Sequence, residues 1–203
     1  MSHHRGLTVA AGLWPTFVVV DAQDRAALNT ALLPLLLKTW EETSTGSEHY
    51  ERVAHNIFAF ENPAVLALKT IVLDLARRHY DLGDAFELEG HEIVSQDRQF
   101  IKTHVDSEEG DLTLQYFVRC PAGNAALAVN QFGNAAFVLV NPAQPAGSFR
   151  FPNEQHHEYP VLPRDGLLVM YRSYTPHYQC PYQGDAPMVQ VVCNIKLKRV
   201  SHR

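Results

Sequence analysis

The chain has 203 residues, 46% of them hydrophobic and 19% charged, with a formal net charge of −5 and a pI near 6.1. This length suffices for one domain with a substantial core and is short for two, so a single domain over residues 1–203 is expected. The composition excludes a disordered chain, and the mild acidity removes the electrostatic reason to seek nucleic acid or an anionic membrane.

The apolar run from Leu7 to Val20 follows Arg5 and resembles a leader segment only faintly. It contains Pro15, is too short to span a bilayer and is followed by no small-residue cleavage site, so it reads as a buried first strand. A helix is expected over residues 21–40, capped by Asp21, with leucines at 28, 32, 33, 35, 36 and 37 on its apolar side. Pro34 should kink or end it. Residues 41–61 are polar and read as a loop. A second helix begins at Asn62-Pro63, where asparagine caps and proline suits the first helical position. Val65, Leu68, Ile71, Val72 and Leu75 recur at helical spacing, and Gly83 closes the segment.

Beyond Gly83, short runs rich in Val, Phe, Tyr, Thr and Leu alternate with turn residues. Strands are expected at 85–94, 99–104, 112–119, 126–130, 135–140, 148–151, 167–172 and 188–198. Two helices followed by about eight short strands predict an α+β domain built around a sandwich or barrel. Cys120, Cys180 and Cys193 are odd in number and widely spaced, with no CxxC. They read as reduced thiols in a cytoplasmic protein and offer no structural zinc site.

The chemistry concentrates in His104-Val105-Asp106, at the end of a predicted strand. Residues two apart on a strand point to one side, so an imidazole and a carboxylate enter the same space. His177, just beyond the apolar strand at 167–172, offers a third ligand. His156 and His157 lie in a polar loop that makes a poorer support. Two imidazoles and one carboxylate on one side of a metal leave positions open for dioxygen and an organic ligand, which is the arrangement of non-haem Fe(II) oxygenases. No GxSxG, GxGxxG or phosphate-binding glycine loop is present.

These residues, with their surroundings, carry a resemblance. The opening Leu13-Trp14-Pro15-Thr16-Phe17-Val18, the HxD, the strand Leu112-Thr113-Leu114-Gln115-Tyr116-Phe117 and the segment Tyr171-Arg172-Ser173-Tyr174-Thr175-Pro176-His177 followed by Pro181, Gly184 and Asn194 look like the Fe(II)/2-oxoglutarate-dependent dioxygenases, in particular the small prokaryotic 2OG-Fe(II) oxygenases. The resemblance implies a double-stranded β-helix, a jelly-roll or cupin-like barrel, with the N-terminal helices packed on one sheet. It implies Fe(II) held by His104, Asp106 and His177, with 2-oxoglutarate and dioxygen as co-substrates, and C–H oxidation of a small molecule, amino acid or peptide. Asp106 stands where related halogenases leave the carboxylate position empty, so hydroxylation is the implied outcome.

One departure bears on the co-substrate. The family usually places an arginine six residues before the final asparagine, to pair with the far carboxylate of 2-oxoglutarate. Here that position is Met188. On the strand at 112–119, Leu112, Leu114, Tyr116 and Val118 suit packing under the helices, whereas Thr113, Gln115, Phe117 and Arg119 suit a polar lumen. Arg119 is therefore a candidate anchor, Arg172 a second, and Gln190 and Asn194 can hydrogen-bond a bound acid. Tyr116 and Tyr174 are candidates for the substrate pocket. An Fe(II) oxygenase whose substrate chelates the metal without 2-oxoglutarate, and a non-catalytic cupin-like binding module, are the alternatives. The substrate and the oligomeric state are not legible.

Overall fold

A computed structural model describes residues 7–13, 16–44, 55–80, 82–120, 132–142 and 157–198. The apolar N-terminal run is two strands, β1 (Leu7–Leu13) and β2 (Thr16–Ala22), paired antiparallel. One continuous strand was the expectation. Helix α1 (Ala26–Thr43) starts later than expected because Asp21 belongs to β2, where it is buried and receives the Arg25 guanidinium at 2.5 Å. Arg25 is the N-cap residue and makes no side-chain cap, while Asp24 Oδ1, one residue earlier, accepts from the Ala26 N–H at 3.1 Å. The helix runs through Pro34 without ending there, with Pro34 on its exposed side. A short 3₁₀ turn (Ile57–Ala59) interrupts the expected loop. Helix α2 (Pro63–Tyr80) begins at the expected Asn62, whose Oδ1 accepts from the Ala64 N–H at 2.8 Å.

The remaining strands are β3 (Phe86–Ser95), β4 (Ile101–His104), β5 (Leu112–Arg119), β6 (Phe137–Val140), β7 (Glu158–Val161), β8 (Leu167–Arg172), β9 (His177–Gln179) and β10 (Met188–Leu197). Strands β7 and β9 escaped the sequence reading because runs of three or four residues lack a period. The strands expected at 126–130 and 148–151 lie outside the described residues. All pairings are antiparallel, in a six-stranded sheet ordered β1-β2-β8-β5-β10-β3 and a four-stranded sheet ordered β4-β9-β6-β7.

Side-chain parity divides the core in two. One side of the large sheet, with Leu112, Leu114, Met170, Val191 and Ile195, packs against Leu32 and Leu36 of α1 and Leu68 and Val72 of α2. The other side, with Phe117, Val169, Tyr171 and Met188, packs against Phe137 and Leu139 of the small sheet. Strands β5 and β8 are thus buried on both sides, and β8 reads as a near-continuous hydrophobic run. The three cysteines are unbridged, with Cys180 and Cys193 buried. Among the described residues, no helix is long and apolar enough to cross a membrane.

Candidate metal centre

His104 ends β4 and His177 begins β9, and the two face each other directly across the antiparallel pair. Their ring centroids lie 4.2 Å apart. Asp106, two residues on, returns to the same space in the turn that follows β4. His104 Nε2 lies 3.5 Å from Asp106 Oδ1, and His177 Nε2 lies 3.5 Å from Asp106 Oδ2. One ligand atom from each of the three residues falls within 4.8 Å of the others, the one such cluster among the described residues.

The turn is held from several sides. The Asp106 N–H donates to the Ser173 carbonyl at 2.9 Å, while the N–H groups of Glu109 and Gly110 donate to the Asp106 carbonyl. The Thr113 hydroxyl bridges Ser173 Oγ at 2.9 Å and Asn194 Oδ1 at 3.0 Å. Asn194 Nδ2 in turn donates to Glu109 Oε2 at 2.9 Å. A Cβ at position 110 would come 3.0 Å from the Ile195 carbonyl oxygen, so Gly110 lets the turn lie directly on β10.

Both imidazoles are oriented by backbone. His104 Nδ1 lies 2.8 Å from the Lys102 carbonyl and His177 Nδ1 lies 3.0 Å from the Thr175 carbonyl. An Nδ1–H donated to each carbonyl leaves both Nε2 lone pairs aimed at Asp106, the second-sphere pattern of histidine metal ligands. Burial lowers the His177 pKa to about 4, so this ring is neutral at physiological pH. Hydrogen bonding to Asp106 raises the pKa of His104 despite partial burial. Burial works to raise that of Asp106, but the hydrogen bond from His104 and the electrostatic pull of the neighbouring imidazoles outweigh it and lower the carboxylate pKa.

These properties fit a divalent metal. Asp106 Oδ2 is buried without a hydrogen-bond partner, an arrangement that costs free energy unless something else satisfies the oxygen. Two neutral imidazole nitrogens and one carboxylate oxygen are the donor set of Fe(II) sites. A proton competes with the metal chiefly at His104. Metal affinity is therefore expected to fall by about tenfold per pH unit below the raised His104 pKa, measured by Fe(II) or Co(II) titration across pH 5 to 8 at about constant ionic strength.

The cleft beside the triad is lined by His91, Ile93, Gln115, Phe137, Tyr178 and Gln179, among others. The structure brings some of the expected residues here and turns others away. Gln190 is fully buried and bonded to the lining Gln115 and Gln179. Asn194 acts on the turn through Glu109. Arg119 lies at the far end of β5, does not line the cleft, and donates its Nε to the Pro187 carbonyl at 2.8 Å. Arg172 is corrected outright. It falls on the even-numbered side of β8 and places its guanidinium 5.1 Å from the centre of the Tyr80 ring, toward the helices. Tyr116 is also corrected. Its side chain is buried under α1, with the hydroxyl bonded to Asn29. Tyr174 is exposed and absent from the cleft lining. Tyr171 packs directly against His177. Its fully buried hydroxyl lies 3.2 Å from His177 Nε2, a position that the odd-residue parity of β8 could have indicated.

No family model matches the chain, and no curated protein matches it in sequence. Solved structures do. A Pseudomonas putida prolyl-4-hydroxylase superposes with a TM-score of 0.56 at 14% identity, over 86% of this chain and 83% of its own. HygX from Streptomyces hygroscopicus, solved with nickel and 2-oxoglutarate bound, gives 0.61 at 10% identity, over 89% and 82%. EvdO2 from Micromonospora carbonacea var. aurantiaca, complexed with 2-oxoglutarate, gives 0.54 at 14% identity, over 91% and 88%. The chain shares the fold of these three structures.

Proposed function

We propose that the chain is a mononuclear non-haem Fe(II) oxygenase, one domain over residues 1–203, whose two sheets form a double-stranded β-helix. His104, Asp106 and His177 hold the metal. The observation that carries this reading is the convergence of three donor atoms on one point, with Asp106 Oδ2 buried and otherwise unpartnered. Iron bound by such a set supplies the activation of dioxygen and the oxidation of a C–H bond. The protein's own part is geometric. The carbonyls of Lys102 and Thr175 fix the imidazole tautomers, the Ser173–Thr113–Asn194–Glu109 chain fixes the turn, and the rings of Phe137 and Tyr171 shield the His177 side from water. The substrate is a small molecule, an amino acid or a peptide side chain that reaches the cleft.

The 2-oxoglutarate carried by HygX and EvdO2 makes a 2-oxo acid the first co-substrate to test. The second reading is an iron oxygenase that dispenses with 2-oxoglutarate. It is favoured by the cleft lining, in which no Lys or Arg occurs among the described residues. An anaerobic titration with Fe(II) and then 2-oxoglutarate tests both, read by the visible charge-transfer band of the chelate. Saturable growth of the band supports the first reading. Iron uptake without a band supports the second. A protein that takes up no iron would leave only the cupin-like binding module.

A further inference from the structure

A chain of three buried glutamine side chains, one from each of three strands, joins two residues of the cleft lining, Gln115 and Gln179. Gln115 of β5 donates Nε2 to Gln190 Oε1 at 2.7 Å, and Gln190 of β10 donates Nε2 to Gln179 Oε1 of β9 at 2.6 Å. Their relative exposures are 2%, 0% and 1%. The chain crosses from the six-stranded to the four-stranded sheet. At its far end Gln179 Nε2 has, among the described residues, the Met188 sulfur at 3.6 Å as a weak acceptor. The central amide has its oxygen and nitrogen engaged by the other two, so a ligand meets the ends of the chain. Rotating all three amides by half a turn reverses the direction of every bond. Either end can thus present a donor or an acceptor, without any change in charge.

Charge already present in the cleft bears on what can enter. Asp106 and Glu109 both line it. Their two formal negative charges match the charge of one divalent metal. A ligand that chelates the metal through one carboxylate adds a further formal negative charge, and a second carboxylate beside the glutamine chain would be an anion next to neutral amides, with His91 as the lining histidine outside the triad. Such a charge is costly unless paired. A hydroxyl, carboxamide or ester at that place needs only the hydrogen bonds that the amide chain supplies.

We propose that the glutamine chain Gln115–Gln190–Gln179 selects an organic ligand whose end remote from the metal is uncharged and hydrogen-bonding, in place of the second carboxylate of 2-oxoglutarate. The inference rests on the metal centre proposed above and names the class of ligand for it. Gln115 and Gln179, which line the cleft, touch that end. Gln190 is a positioning residue that keeps the other two in register.

The test compares 2-oxoglutarate with its 5-methyl ester, which removes the charge at the remote end and adds one methyl group. Each is titrated anaerobically into the Fe(II)-loaded protein, and affinity is read from the charge-transfer band without turnover. The ester is expected to bind at least about tenfold more tightly, a margin of about 1.4 kcal/mol. Gln190→Arg, which places a cation in the chain, is expected to reverse the preference. Gln115→Met is expected to weaken the ester by about tenfold and leave Fe(II) affinity unchanged. Binding of 2-oxoglutarate as tight as that of the ester, or tighter, overturns the proposal, as does failure of both to bind to iron-loaded protein. The wild-type comparison decides the matter even if Gln190→Arg does not fold. Iron loading is measured beforehand, so loss of the metal reading, which would take this inference with it, is seen separately.

Discussion

Replacing Asp106 with alanine is expected to abolish tight Fe(II) binding while leaving the apo-protein at least as stable as the wild type. Loss of a residue that merely orients a metal ligand costs 10- to 100-fold in affinity by general experience, so loss of a ligand should cost roughly 100-fold or more. The stability half of the expectation comes from the carboxylate's surroundings. Asp106 is buried, 6% exposed, with Oδ2 without a hydrogen-bond partner and each oxygen 3.5 Å from an imidazole nitrogen. A group held in that state for a metal carries its cost when the metal is absent. The sign with pH follows from the lowered Asp106 pKa. Its ionised form stabilises the fold above the unfolded-state value, and that contribution disappears as pH falls through the lower folded value. Any gain from the variant should therefore be clearest in acid. Two measurements decide it: competition for Fe(II) against a chelating dye, and thermal unfolding with and without metal. Wild-type protein at about 100 times its Kd should gain about 2.7 kcal/mol from the metal, and the variant nothing. A variant that still gains stability from Fe(II) would remove Asp106 from the ligand set.

The parts of this centre that could be read from the sequence are those fixed by short-range geometry. His104 and Asp106 are two apart at a strand end, which is enough to put them on one side. The parity of β5 placed Leu112 and Leu114 under the helices and Gln115 in the cleft, as found. The same parity also put Tyr116 under the helices, and its candidacy for the substrate pocket conflicted with that placement from the outset. What the sequence did not disclose depends on pairing between distant strands. Nothing local in His177-Tyr178-Gln179 says that these three residues form a strand opposite β4, yet that pairing sets His177 against His104. Nor does any local pattern join Gln115, Gln179 and Gln190, which lie on three strands and meet only when the two sheets close. Asp21 misled because an aspartate before an apolar stretch is a common cap. Here a partner four residues on, Arg25, drew it into a buried pair, and Arg25 also donates to the Gly166 carbonyl at 2.6 Å. Arg172 misled because a strand-end arginine near a metal ligand invites a role there, whereas its parity sends it to Tyr80.

Parity also predicts a variant with the opposite behaviour. Leu114 is completely buried on the helical side of β5, while on the opposite side Gln115 lines the cleft and Thr113 bonds to Ser173 and Asn194. Leu114→Ala is expected to destabilise the protein by about 2–5 kcal/mol, because it loses the transfer energy of the removed carbons and leaves a cavity that a sheet packed on both sides relaxes into poorly. For a domain of this size that corresponds to a fall in Tm of roughly 4–20 °C. The proposed metal ligands lie on β4, β9 and the turn, held by backbone bonds to Lys102, Thr175 and Ser173 that the deletion does not touch. Fe(II) affinity of the folded fraction should therefore remain within about threefold of wild type, the scatter expected between sites without shared partners. Thermal unfolding of the apo-protein and metal titration well below the new Tm give the two numbers. A variant that keeps its stability would mean that the helices do not bury this side of the sheet. One that keeps its stability loss but also loses iron would mean that β5 transmits strain across the sheet to Thr113 and the turn, and that the centre's geometry depends on the packing beneath the helices as well as on its own hydrogen bonds.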